Sequence, residues 1–172
     1  MKSLASLVRA VVDFPRPGVL FRDLTPLLAD AEAFSRCVDA LAEPWRASNV
    51  QTVCGVDARG FIFGAALAQR LHAGFVPLRK PGKLPPPVKS VAFQLEYGHD
   101  CMQAHDDASD AGKRAIIVDD VLATGGTLAA AQTLVGMLGG ELVGASVVIE
   151  LTALRGRDRW SGSAPLHSLL KY

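Results

Sequence analysis

IIVDDVLATGGTLAAA, residues 116–131, reads as a buried strand, two acids, a short turn and an alanine-rich helix. The strand RAIIVDD (114–120) is β-branched and lacks polar alternation, as expected where both faces are covered. In open α/β sheets ligands bind where strands end, and a helix N-terminus there offers N–H groups and the positive end of a dipole. Gly125 and Gly126 let the backbone approach an anion closely, and Thr124 and Thr127 add hydroxyl donors. The segment is built for a phosphate. It contains neither GxxxxGK[ST] nor GxGxxG, which argues against a Walker loop and a dinucleotide fold. A bare Gly-Gly before a helix can be no more than a tight turn. The adjacent acids shift the balance, because two carboxylates beside an anion site are costly without hydroxyls or a metal to engage. Asp119 and Asp120 suit the vicinal hydroxyls of a sugar, with magnesium nearby. Phosphate turn and diol clamp together describe a ribose 5-phosphate site.

Outward from this stretch, strand and helix alternate. TVCGV (52–56) is a buried strand, DARG (57–60) a turn, FIFGAALAQRL (61–71) a helix and FVPL (75–78) a strand. VKSVAFQLEY (88–97) alternates as a half-exposed strand does, TLAAAQTLVGML (127–138) is a helix, LVGASVVIE (142–150) a buried strand and HSLLKY (167–172) an edge strand. Upstream, Leu4, Leu7, Val8, Val11 and Val12 share one helical face and predict an amphipathic helix capped near Ser3. Residues 20–28 predict a loop with at most a brief strand, and 31–47 a helix ended or kinked by Pro44. The pattern implies an α/β fold, a parallel sheet covered by helices on both faces, in a single domain over 1–172.

Composition narrows the function classes. Hydrophobic residues make up 49% of the 172, enough for a sizeable core and too many for a disordered chain. Eighteen Lys and Arg against 17 Asp and Glu leave a net charge of +1, which disfavours nucleic-acid binding. Cys37, Cys54 and Cys101 are odd in number and widely spaced, which fits a reducing, cytoplasmic home rather than a disulfide framework or zinc cluster. Arg9 and Asp13 interrupt any signal-peptide core, and no apolar run approaches the ~18–20 residues that span a bilayer.

A second anion site shows in the charge order. The 38 residues from Ala58 to Leu95 contain no acid, where the chain average would give about four. They carry Arg59 after a strand end, and Arg79, Lys80 and Lys83 in the proline-rich stretch RKPGKLPPPVK (79–89), which suits a mobile surface loop. Arg70 and Lys89 read as a solvated basic face.

The segment IIVDDVLATGGT resembles the phosphoribosyl pyrophosphate motif of the type I phosphoribosyltransferases. FPRPGVLFRDLTPLL (14–28), GVDARGFIFG (55–64), PLRKPGKLP (77–85), QLEYG (94–98), VDDVLATGGT (118–127) and VIELTALRGR (148–157), in this order, resemble the adenine-specific members of that family. The resemblance implies the type I phosphoribosyltransferase fold with a mobile hood. It implies transfer of phosphoribose to adenine, giving AMP and pyrophosphate in purine salvage. It assigns Ala123, Thr124, Gly125, Gly126 and Thr127 to the 5-phosphate and Asp119 and Asp120 to the ribose. Asp57, Ala58 and Arg59, with Arg79, Lys80 and Lys83, are assigned to pyrophosphate, with a cis peptide at Asp57–Ala58. Val19, Phe21 and Arg22 are assigned to adenine, Val121 packs on the base, and Glu96 exchanges a proton with the purine. Residues 14–28 then contribute the base pocket and about 79–107 the flexible loop and hood. The resemblance also implies Mg²⁺ carried by the substrate, with no ligand from the protein directly, and a homodimer. Two departures stand out: Ala58 where a serine is common, and Pro81 where a basic or polar residue is usual. A transferase for xanthine or hypoxanthine, or a ligand-sensing regulator on the same fold, remains open, although no nucleic-acid-binding element is visible.

The rest reads as structure. His72, His99, His105 and His167 lack metal spacing and read as surface or packing residues, Cys54 reads as core, and Trp45 and Trp160 read as packing or interface aromatics. Asp106, Asp107 and Asp110 read as a solvated turn.

Overall fold

The computed structural model describes residues 2–94, 99–108 and 112–172. They fall in two compact units, Met1–Ala40 and Leu41–Tyr172. In the first unit the predicted N-terminal helix is not formed. Only Ala5–Leu7 make a 3-10 turn, and β1 (Arg9–Val12) pairs antiparallel with β2 (Leu20–Asp23), Arg9 opposite Asp23 and Val12 opposite Leu20. The helical spacing of the apolar residues competes with the β-branched Val11 and Val12, whose side chains fit a pleated strand once a partner strand is at hand. The stretch 20–28 is more ordered than a loop: β2 is followed by α1 (Thr25–Ala29). Asp23 joins the two, its Oδ1 accepting the Thr25 N–H at 2.9 Å and its Oδ2 the Arg9 Nε–H at 3.0 Å. The Thr25 N–H first, and then Arg9, lower the Asp23 pKa to about 2. Next comes α2 (Ala31–Ala42), begun by Asp30, whose Oδ1 accepts the Ala33 N–H at 3.0 Å. It stops before Pro44, as expected, and Glu43–Trp45 form a 3-10 turn.

The second unit holds β3 (Thr52–Val56), α3 (Gly60–Leu71), β4 (Gly74–Leu78), β5 (Val88–Gln94), β6 (His99–His105), β7 (Arg114–Leu122), α4 (Gly126–Met137), β8 (Glu141–Glu150) and β9 (Leu166–Lys171). Five of these strands form a parallel sheet in the order β4-β3-β7-β8-β9. The crossover through α3 runs from β3 outward to β4, and the crossover through α4 runs from β7 outward to β8, in the opposite direction. Since parallel crossovers are right-handed, the two helices cover opposite faces. All of β3 is buried, as are Ile116, Ile117 and Val118 in β7 and Val147, Val148 and Ile149 in β8. Trp45 is buried too, donating its indole N–H to Ser146 Oγ at 2.7 Å and meeting the His167 ring edge-on, so of the alternatives open to each both residues take the packing role.

Residues 99–105 carry no clear sequence signal, yet β6 pairs antiparallel with β5 in a separate two-stranded sheet, and α4 packs against it. The exposed stretch 81–87 links β4 to β5 without helix or strand, in keeping with its prolines. Among the described residues no helix is long and apolar enough to cross a membrane.

Candidate active site

The reversal of direction between β3 and β7 makes a topological switch point, where open α/β sheets leave a crevice at the carboxyl ends of their strands. Asp57, Ala58 and Arg59 leave the end of β3, and Asp119 to Thr127 run through the end of β7 into α4. Eight positions of the β7–α4 reading and three of the β3 turn therefore converge. The peptide between Asp57 and Ala58 is cis, as the resemblance implies.

Asp119 and Asp120 are both buried. Burial first, and the Asp120 carboxylate second, push the Asp119 pKa well above the ordinary carboxylate range. Its Oδ1 accepts the Asp120 backbone N–H at 2.8 Å. Arg59, half-exposed, brings its Nε to 2.5 Å from Asp120 Oδ2 and so ties the β3 turn to the acid pair. Two buried acids at a strand end can accept hydrogen bonds from a diol, and hydroxyl donors there would relieve the cost of charging Asp119. Val121, half-buried, follows them in β7 opposite Ile149.

The turn beyond β7 enters α4 one residue earlier than predicted, at Gly126. Gly125 is the N-cap, at φ 82°, and has no side chain with which to satisfy the first N–H groups of the helix. Those N–H groups are thus suited to an oxygen anion. Glycine is needed at 125 for another reason as well. A Cβ there would lie 2.1 Å from the Gly156 carbonyl oxygen, so this turn packs backbone against backbone on the segment after β8.

The basic loop is organised by Asp57. Its Oδ2 accepts from Arg79 Nε at 3.2 Å and from the Lys80 backbone N–H at 3.5 Å. Arg79 also exchanges two backbone hydrogen bonds of 2.7 Å with Gln103 of β6, and its guanidinium lies 5.5 Å from the centre of the Phe61 ring. The Lys80 ammonium pairs with Asp100 at 3.6 Å. Lys83 lies exposed in the 81–87 stretch. Sequence reasoning missed Asp100 and Gln103, because it left their strand unassigned.

Val19, Phe21 and Arg22 belong to the first unit. Phe21 pairs with Val11 and Arg22 with Ala10, and the Phe21 ring meets Phe14 edge-on at 5.2 Å. Among the described residues β2 pairs with one strand, β1. Glu96 lies outside the described residues. Buried Cys54 has its thiol pKa pushed up to about 12 by burial, so it is core and no nucleophile. Among the described residues no group of three or more His, Cys, Asp or Glu could hold a metal ion.

The model of the phosphoribosyl transferase domain matches residues 28–163. An adenine phosphoribosyltransferase of Xanthomonas axonopodis pv. citri is 52% identical over 165 residues, which cover 96% of this chain and 89% of that relative. The chain belongs to the adenine phosphoribosyltransferase family. Solved structures of adenine phosphoribosyltransferases agree in fold. The one from Rhodothermus marinus superimposes with a TM-score of 0.94 at 46% identity, covering 98% of this chain and 96% of the other. The one from Saccharomyces cerevisiae, complexed with an imino-altritol bisphosphate and adenine, gives 0.91 at 38% identity, with 97% and 96% covered. The five-stranded parallel sheet flanked by helices is thus the type I phosphoribosyltransferase fold.

Proposed function

We propose that this chain transfers the 5-phosphoribosyl group of phosphoribosyl pyrophosphate to adenine, yielding AMP and pyrophosphate, a step of purine salvage. The observation that carries it is the run from β7 into α4: two buried acids, then a glycine-capped helix N-terminus, at the switch point of the sheet. Family membership at 52% identity to an adenine phosphoribosyltransferase supports the base.

In this reading residues 123–127 bind the 5-phosphate and Asp119 and Asp120 accept from the ribose hydroxyls. Asp57, Ala58 and Arg59, with Arg79, Lys80 and Lys83, hold the pyrophosphate, Asp57 accepting from Arg79 and from the Lys80 N–H. The bond from C1 of the ribose to pyrophosphate breaks with its electron pair on the leaving oxygen, and a purine nitrogen bonds to C1. Positive charge developing on the sugar faces the two carboxylates, while the departing negative charge faces the basic residues, an arrangement of fixed charge that lowers the barrier. The proton lost by the purine passes to Glu96. Backbone groups of residues 19–22, in the base pocket over 14–28, read the exocyclic amine, and Val121 packs on the ring. A hood within about 79–107 excludes water. Enzymes of this family generally use magnesium with phosphoribosyl pyrophosphate. Mg²⁺ bound with the substrate would supply charge neutralisation at the leaving group. The protein works in the cytoplasm as a homodimer.

Purified protein, phosphoribosyl pyrophosphate and magnesium should convert adenine to AMP, with guanine, hypoxanthine and xanthine as parallel substrates. A site that pairs with the amine should discriminate by about 10⁴-fold against a base that leaves the partner unpaired. Turnover of hypoxanthine comparable to that of adenine would overturn the base assignment, and absence of any nucleotide product would overturn the activity.

A further inference from the structure

The segment between β8 and β9 contains VIELTALRGR, to which the roles above assign nothing. Its Gly156 is buried against the phosphate turn. A Cβ on Gly156 would lie 2.1 Å from the Ala123 carbonyl oxygen and 2.8 Å from the Gly125 nitrogen, closer than real Cβ contacts come. The backbone of Gly156 is therefore a wall packed directly against the turn at Ala123–Gly125. This wall is fixed by the next residue. The Arg157 guanidinium donates Nε–H to Glu150 Oε1 at 2.9 Å and Nη2–H to Glu150 Oε2 at 2.6 Å, a two-point fork, and Nη1–H to the Leu166 carbonyl at 2.7 Å. Ser168 completes the cluster, donating its hydroxyl to Glu150 Oε2 at 2.6 Å. One side chain thus joins the last residue of β8 and the first of β9 to the wall. The segment is tied at its edges as well: the Leu151 N–H donates to the Leu122 carbonyl at 2.9 Å, and Gln132 of α4 donates to the Ser161 carbonyl at 2.7 Å.

We propose that Arg157 is a positioning residue for phosphate binding, acting through Gly156 to hold Ala123–Gly125 in the geometry that aims their N–H groups at one anion. The proposal rests on the reading of 123–127 as the 5-phosphate turn. Arg157 acts at second hand: its side chain is spent on Glu150, Leu166 and Ser168, and what reaches the turn is the position of the backbone beside it. Loss of the fork frees Gly156 to shift and leaves the buried Glu150 carboxylate short of its charged partner. A methyl at Gly156 pushes the turn directly while the fork remains.

The full chain and its Arg157→Met, Arg157→Lys and Gly156→Ala variants are compared by steady-state kinetics and AMP titration, with circular dichroism as the check on folding. Arg157→Met and Gly156→Ala should raise the KM for phosphoribosyl pyrophosphate and the Kd for AMP by about tenfold or more, since a misplacement of about 1 Å can cost about 100-fold. The KM for adenine should stay within about twofold, because sites without shared partners respond independently. Arg157→Lys, with a point charge in place of the fork, should fall between wild type and Arg157→Met. A residue that served folding alone would lower the active fraction, hence kcat, and leave both KM values in place; that result overturns the proposal. Unchanged AMP affinity in folded Gly156→Ala also overturns it, and this arm decides the matter if Arg157→Met does not fold. A wild-type chain that fails to bind AMP overturns the phosphate reading itself and the proposal with it.

Discussion

Asp119 and Asp120 stand next to each other where charge is expensive. Asp119 is buried, and its carboxyl keeps its proton to a pH well above the ordinary range, because of burial and then because of Asp120. The sign of the linkage follows. The folded state binds this proton more tightly than the unfolded chain, so Asp119 penalises folding increasingly as pH rises above the ordinary carboxylate value of 3.8. Asp119→Asn removes that penalty and can still accept the Asp120 N–H. We expect the variant to melt at or above the wild-type temperature at pH 8, with the difference closing as pH falls toward 4 in thermal scans. AMP formation should nevertheless fall by roughly 10- to 100-fold, the loss of a charged acceptor for a sugar hydroxyl. A variant with lower stability and intact turnover would return these acids to a structural role.

At the scale of elements, the Arg157 fork has a pH signature of its own. The Arg157 hydrogen bonds, and after them Ser168, lower the Glu150 pKa from 4.5 to about 2. The stabilisation is therefore complete above about pH 5 and is lost as pH falls from there through about 2. Glu150→Gln should lower stability by about 2 kcal/mol at pH 7, and its melting temperature should approach that of wild type between pH 5 and pH 2. A gap independent of pH would mean the carboxylate is not what holds the fork. How far such elements can be read from sequence depends on where their partners lie. The run from β7 through α4 is legible because apolar strand, acids, glycines and helix follow one another in a single stretch. The N-terminal segment misleads because Leu4, Leu7, Val8, Val11 and Val12 satisfy a helical period, while the strand that pairs with Val11 and Val12, Leu20–Asp23, comes later in the chain. β6 (HDCMQAH) carries too little apolar alternation to stand out, and its pairing with β5 is what makes it a strand. Gly125 is readable as a glycine that faces a ligand. That it also faces Gly156, 31 positions away, is a fact of packing that local spacing does not encode.

Across the whole molecule, the order β4-β3-β7-β8-β9 sets a gradient of protection. β7 lies between two parallel neighbours, and its Ile116, Ile117 and Val118 are wholly buried. The stretch 81–87, which carries Lys83, is mostly exposed and outside any strand. The chain thus joins the two kinds of site on different clocks. In deuterium exchange the amides of Ile116–Val118 should open only with global unfolding, whereas those of the 81–87 stretch should exchange through local fluctuation and label first. AMP should slow labelling at 124–128 far more than at 81–87, where no part of the nucleotide is expected to reach. If the β7 amides label as early as 81–87, the sheet does not provide the fixed frame assumed for the acid pair. If they label last, the sugar meets a surface that is ready before it arrives, while Lys83 reaches the pyrophosphate from a stretch that must be gathered on each turnover.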